Sequence, residues 1–259
     1  MISTQASVDK NAAIGKNVTI SPFSVIYGNV SIGEGTWIGP HVTIMDGSRI
    51  GKNCRIFPGA VIGAIPQDLK FSGEETTAEI GDNTTVREFV TVNRGTKDLM
   101  KTSVGSDCLL MAYVHVAHDC QVGNHVILAN SVNLAGHITI EDYAILEGLV
   151  AVQQFVHIGA HSFVTGGSLV RKNVPPYVKA AREPLTYAGV NSVGLRRRGF
   201  SPEIILQIED IYRTIYVRGY NVSNAINIVE QEAPASAEKE LIVKFIRDSK
   251  DGIIRGITA

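Results

Sequence analysis

Residues 113–126 read YVHVAHDCQVGNHV, and within eleven of them fall His115, His118 and His125, with Asp119 directly after the middle histidine. An imidazole beside a carboxylate suits general-base chemistry. The neutral ring takes a proton near neutral pH, and the acid orients it. The same residue types also ligate transition metals. A third reading is three ordinary surface histidines. The choice depends on where each side chain points, and that is set by the elements that carry them.

Global properties narrow the classes. The chain has 259 residues, enough for one large domain or a large and a small one. A net charge of −1 gives nucleic acid or an anionic membrane no electrostatic hold. No apolar run reaches the roughly 18 residues of a membrane span, and the N-terminal MISTQASVDKN lacks the pattern of a signal peptide. Cys54, Cys108 and Cys120 are odd in number and lack zinc spacing, which suits a reducing, cytoplasmic setting.

A period of six runs through the sequence. Ile14, Ile20, Ile26, Ile32, Ile38, Ile44, Ile50, Ile56 and Ile62 follow one another without a miss. The series starts at Ile2 and Val8, returns at Ile80, Val86 and Val92, and runs again from Val104 to Val170, for 26 hexads in all. With the aliphatic residue as position i, Gly takes i+1 in nine hexads, among them Gly51, Gly105 and Gly123, where it is expected to make a tight turn. Position i+4 is small or β-branched, as at Val18, Ser24, Thr36 and Ala60. Helices would tolerate this many Gly and β-branched residues poorly. The period predicts a parallel β-helix whose narrow interior is filled by i and i+4. About nine coils stacked at about 4.8 Å give a prism on the order of 40 Å long.

The expected division is a β-helix domain over 1–174 and a C-terminal α-helical domain over 175–259. Charged residues at would-be core positions (Asp68, Glu74, Asp98) predict loop insertions near 66–79 and 97–103. Beyond Val170, NVPPY breaks the series, and Ser201-Pro202-Glu203 reads as a helix start. Helices are expected near 202–218, 222–232 and 236–249.

The register gives every candidate an address. All three cysteines fall at i+4 and should point inward. No histidine falls at an interior position: His41, His125, His137 and His161 are at i+3, His118 at i+2, His115 and His157 at i+5. Plain surface placement suits His41 and His161. Residues 18 apart should stack on successive coils, which puts His118 under Gly136 and Gln154, Asp119 under His137, and His115 under Asn133. A base, an acid and a glycine with an accessible N–H then form one outward patch suited to acyl transfer.

The hexads resemble those of the hexapeptide acyltransferases, and this resemblance, not the periodicity, implies a left-handed helix, an exception to the usual crossover rule. The γ-type carbonic anhydrases share that fold and bind zinc through a His-x4-His pair. The close pairs here are His-x2-His and His-x3-His, so no metal is expected. The strings LLMAYVHVAHDCQVGN (109–124), IPQDLKF (65–71), NLAGH (133–137), NVPPY (173–177) and LRRRGFS (195–201) resemble the UDP-N-acetylglucosamine O-acyltransferases of lipid A biosynthesis, over nearly the whole chain.

That resemblance implies transfer of an (R)-3-hydroxyacyl group from acyl carrier protein to the sugar 3-hydroxyl. It implies His118 as general base and Gly136 N–H as oxyanion donor; Asp119, next in the chain, is the candidate to bias His118 or its neighbours. It implies substrate contacts from Asp68, Lys70, His115, His137, Gln154, Asn191, Arg197 and Arg198, with the arginines suited to phosphate. It further implies a homotrimer with sites between neighbouring prisms and no cofactor beyond the carrier's own 4'-phosphopantetheine. Where the family often has His-Gln-Phe, this chain has Gln153-Gln154-Phe155, so a titrating group is missing at 153. Three alternatives stay open: the sibling UDP-sugar N-acyltransferase, an acetyl-CoA-dependent acetyltransferase, and a non-catalytic or metal-binding β-helix protein. The acyl-chain length is not legible, although Gly166 leaves space near the upper coils.

Overall fold

Most hexads fold as two residues of strand and four of corner in the computed structural model, which describes residues 1–256. The strands stack into three sheets of nine, eight and ten strands, parallel except for the last strand of the third, the faces of a left-handed triangular prism. One coil is 18 residues, as in His115↔Asn133↔Ala151↔Leu169. Across the insertions the offset grows to 30 for Val61↔Thr91 and 24 for Thr91↔His115.

The interior is filled by side chains stacked coil on coil from all three faces. Position i supplies Ile20, Ile38, Ile56, Leu110 and Leu128, and i+4 supplies Val18, Val42 and Ala60, all buried. β-branched residues fit such pleated, enclosed surfaces. The three cysteines lie inside as expected, buried and unpaired. Burial pushes the Cys108 thiol up to about 11 and Cys120 up to about 12.

Except at Gly63, whose φ is 84°, the glycines at i+1 do a different job from the one expected. The left-handed backbone belongs to i+3: Asn17, Asn53, Asp107 and Asp119 have φ between 53° and 59°, a region that Asn and Asp tolerate. The i+1 glycines are instead demanded by close stacking. A Cβ on Gly33 would stand 2.5 Å from Gly51 C, one on Gly105 2.5 Å from Gly123 O, and one on Gly123 2.8 Å from Asp142 N.

Residues at i+3 line up along the three prism edges, where rings stack. One edge carries Phe89 on Tyr113, a second His125, Tyr143, His161 and Tyr177, and the third His137 on Phe155. His161 is therefore not a plain surface histidine. It is packed between Tyr143 and Tyr177, and burial first, then the Arg198 charge, push it down to about 4.

The insertions are shorter at their ends than expected. Strands resume at Thr77 and Lys101, because Ala78 and Thr102 already fill the interior ahead of Ile80 and Val104. The prism also outlasts the hexads. A hairpin of Val178–Ala181 and Thr186–Val190 lays its first strand parallel to Phe163–Val164, so helix does not begin at 175. The pairing Phe163↔Lys179 is offset by 16, which breaks the six-residue rhythm and hides the strand from sequence.

Four helices follow: α1 (Ser192–Arg197), α2 (Pro202–Tyr216), α3 (Val222–Glu232) and α4 (Ala237–Asp248). Ser201 caps α2 at Ile204 N, with Pro202 at its start. The face Ile205, Ile208, Ile211, Tyr212 and Ile215 is buried, and the Tyr212 hydroxyl donates to Pro176 O at 2.5 Å, which seats α2 on the end of the prism. No helix among the described residues is long and apolar enough to cross a membrane.

Candidate active site

Asp119 is the centre of the histidine cluster. Its corner position turns the side chain along the prism edge, and the second insertion folds over it. Thr96 N–H donates to Oδ1 at 3.0 Å, Leu99 N–H to Oδ1 at 3.3 Å, and the Thr96 hydroxyl to Oδ2 at 2.6 Å. Asp119 N–H donates to Thr102 Oγ1 at 2.8 Å. Burial alone would raise the Asp119 carboxyl, but the hydrogen bonds from Thr96 and His118 outweigh it and hold the group below its ordinary value. The carboxylate is therefore ionised near neutral pH.

An ionised carboxylate can only accept. His118 Nδ1, 2.8 Å from Asp119 Oδ2, must then carry its proton towards it, which leaves the lone pair on Nε2. Nε2 lies 4.0 Å from Asp68 Oδ2 of the first insertion. His118 faces outward as its register requires, yet it is only 8 % exposed, because the two insertions cover it. His137, one coil above Asp119, stands edge-on to His118 with ring centroids 5.1 Å apart. Its Nε2 is 3.6 Å from Asp119 Oδ2 and its Nδ1 is 3.2 Å from Asp98 Oδ2.

Gly136 sits directly over the base. A Cβ there would lie 2.5 Å from His118 Cε1 and 2.7 Å from Nε2. The ring occupies the space a side chain would need. Gly136 N–H has no hydrogen-bond acceptor among the described residues.

Beside this core opens a cleft of about 530 Å³, lined by Asp68, Lys70, Lys97, His137, Gln154 and Phe155 among others. Of the residues singled out in the sequence, His118, Asp119, Gly136, Asp68, Lys70, His137 and Gln154 thus converge. His115 flanks them, its Nδ1 2.7 Å from Thr91 Oγ1; burial and the neighbouring His118 both lower its pKa.

Asn191, Arg197 and Arg198 do not join the cluster within one chain. The Asn191 side chain caps α1 and donates to His161 O at 2.9 Å. Arg198 lies over the Tyr143 ring and donates to Tyr143 O at 2.9 Å. Both belong to the edge that carries the His125–Tyr177 stack, not to the Asp119 edge. Thr96, Thr102 and Asp98 were not legible as site residues in the sequence. Thr96 and Asp98 contact Asp119 and His137 through the fold of an insertion, which no spacing encodes, and Thr102 accepts from Asp119 N–H out of the strand that follows it.

One atom each of His118, Asp119 and His137 lies within 4.8 Å of the others, a grouping of metal-ligating types. Both Asp119 oxygens, however, already accept from Thr96, Leu99 and His118.

A parallel β-helix of hexads with a histidine–carboxylate pair on its outer edge defines the class: a hexapeptide-repeat transferase. Residues 29–64 and 101–136 match the family described as bacterial transferase hexapeptide (six repeats), and residues 173–257 match UDP-N-acetylglucosamine O-acyltransferase, domain 2. The acyl-[acyl-carrier-protein]–UDP-N-acetylglucosamine O-acyltransferase of Xanthomonas oryzae pv. oryzae is 45% identical over 257 residues, 98% of each chain. The solved UDP-N-acetylglucosamine acyltransferase of Bacteroides fragilis is 53% identical, with a TM-score of 0.97 over 98% of this chain and 100% of that one. That of Francisella novicida is 42% identical, with a TM-score of 0.95 over 98% and 94%. The chain belongs to the acyl-[acyl-carrier-protein]–UDP-N-acetylglucosamine O-acyltransferase family.

Proposed function

We propose that the chain transfers an (R)-3-hydroxyacyl group from acyl carrier protein to the 3-hydroxyl of UDP-N-acetylglucosamine, the first step of lipid A biosynthesis. The observation that carries the mechanism is the His118–Asp119 pair, with Nδ1 engaged at 2.8 Å and Nε2 left to receive a proton. Asp119 fixes the tautomer. His118 Nε2 takes the proton of the sugar 3-hydroxyl as its oxygen attacks the thioester carbon. The new C–O bond turns the carbonyl oxygen into an oxyanion, which Gly136 N–H stabilises. Collapse breaks the C–S bond, and the departing pantetheine sulfur takes the proton back from His118.

Asp68, Lys70, His137 and Gln154 hold the sugar end in the cleft. His115 supports the wall beside the base. Asn191, Arg197 and Arg198 serve a site on a neighbouring copy. Their separate edge supports a homotrimer in which the His118 edge of one prism faces the arginine edge of the next, enclosing an otherwise shallow site. The reaction needs no metal and no cofactor beyond the carrier's arm, and the enzyme works in the cytoplasm without nucleic acid.

The test is mass spectrometry of products from a ladder of 3-hydroxyacyl carrier proteins with UDP-N-acetylglucosamine. One 3-hydroxyacyl group should be gained by the sugar nucleotide, and the preferred chain length read directly. No product at any length sinks the proposal. A chelator should leave the rate unchanged; loss restored by zinc would instead favour a metal at the His118, Asp119 and His137 grouping.

A further inference from the structure

Thr96 precedes Asp119 by 23 residues, yet its hydroxyl lies 2.6 Å from Asp119 Oδ2, the same oxygen that accepts from His118 Nδ1. The direction of the Thr96 proton is fixed, because an ionised carboxylate can only accept, and Thr96 Oγ1 is left to accept from Asp98 N–H at 3.3 Å. Thr96 is itself buried, 7 % exposed, and its N–H holds the other carboxylate oxygen. Two donors thus share one carboxylate oxygen. Each draws density from the other's acceptor.

We propose that Thr96 is a positioning residue for the transfer: it locks the Asp119 carboxylate against His118 and, by sharing Oδ2, limits the negative charge that His118 feels, thereby setting the pH at which His118 gains its proton. This rests on the acyl-transfer reading of the site. The logic is that of an outer residue tuning the basicity of an inner one.

The other groups facing the pair come from several elements. Asp68 of the first insertion stands 4.0 Å from His118 Nε2, and His137 of the next coil stands 3.6 Å from Asp119 Oδ2, with Asp98 behind it. His115 precedes on the same coil and interacts with His118 through charge. Cys120 points into the prism. Of these groups, among the described residues, Asp98 alone bonds the Thr96 hydroxyl, through its N–H, so the His137 ring is followed beside His118 in the same titration.

Thr96→Val removes the hydroxyl at nearly constant shape, and Thr96→Ser keeps it. Both are compared with wild type as full chains, in steady-state rates from mildly acid to mildly alkaline pH. A second arm follows the His118 ring by NMR titration of histidine-labelled protein, which needs no substrate. In Thr96→Val, kcat should fall about tenfold, the worth of one hydrogen bond to a charged group, with KM for the sugar nucleotide little changed. Without the competing donor, Asp119 holds the imidazolium more strongly. The acid limb of the rate and the His118 midpoint should therefore both move to higher pH. Thr96→Ser should restore both. Thr96→Ala replaces Val if the bulk disturbs the loop. An active wild type with an unmoved midpoint in the hydroxyl-free variant overturns the Thr96 assignment. So does lost activity explained by a lower Tm alone. A wild type that transfers nothing sinks the acyl-transfer reading instead.

Discussion

At the scale of single residues, two side chains of one corner have opposite fates. His118 faces out under the insertions and Cys120, two residues on, faces the interior. His118→Ala removes no interior side chain of the prism. It should leave Tm near wild type and cut kcat at least about 10²-fold, the usual worth of a general base; a variant that turns over normally would remove His118 from the mechanism. Cys120→Ala should retain activity, and the wild-type thiol, pushed up to about 12 by burial, should not react with a thiol reagent in the folded state. Gly136 is a less clean target than its place on the outer surface suggests. Any side chain there collides with the His118 ring, so lost activity in Gly136→Val would report a displaced base as readily as a lost oxyanion donor.

At the scale of elements, corners and stacked coils carry distinct requirements. Gly123→Val should lower Tm sharply, because overpacking a site costs roughly 1–3 kcal/mol of stability or more. The reason is the backbone of the next coil at Asp142, not a left-handed φ. Thermal denaturation checks it, and an unchanged Tm would contradict the stacking distance. The edge stack gives a pH effect. His161 is held down at about 4 in the folded chain, against an ordinary value of 6.5. The unfolded state thus binds its proton first as pH falls. The stability contributed by the neutral, buried ring is complete above about 6.5 and declines from there towards about 4. His161→Phe keeps an aromatic ring in the stack and removes the titration. Its Tm should fall less than that of wild type over that window, and parallel Tm–pH curves would refute the assignment.

At the scale of the molecule, one chain carries His118 with Asp119 on one prism edge and Arg198 with Asn191 on another. If neighbouring copies join them, His118→Ala and Arg198→Ala should each be inactive alone and complement when co-expressed. Each mixed site needs an intact histidine from one copy and an intact arginine from the next. Random assembly restores roughly a quarter of the sites, by the geometry of a closed ring of head-to-tail interfaces. Absence of complementation in trimers shown to be mixed would place both groups' partners within one chain.

The sequence by itself determined the coil. A prism edge repeats every six residues, so the interior, the inward cysteines, the outward histidines and the stacking of His118 under Gly136 were all legible as arithmetic on residue numbers. The first turn of α2 was legible too, because a cap is local chemistry at Ser201-Pro202-Glu203. Tertiary structure decided what periodicity does not encode. It assigned the left-handed backbone to i+3 and close contact to i+1, since crowding between coils depends on distances across the stack. It hid a strand at Val178–Ala181 behind a sixteen-residue offset. It also brought Thr96, Leu99 and Asp98 onto Asp119 and His137. An insertion leaves the repeat, and where its loop returns is fixed by the hydrogen bonds that a buried carboxylate requires, not by any spacing along the chain.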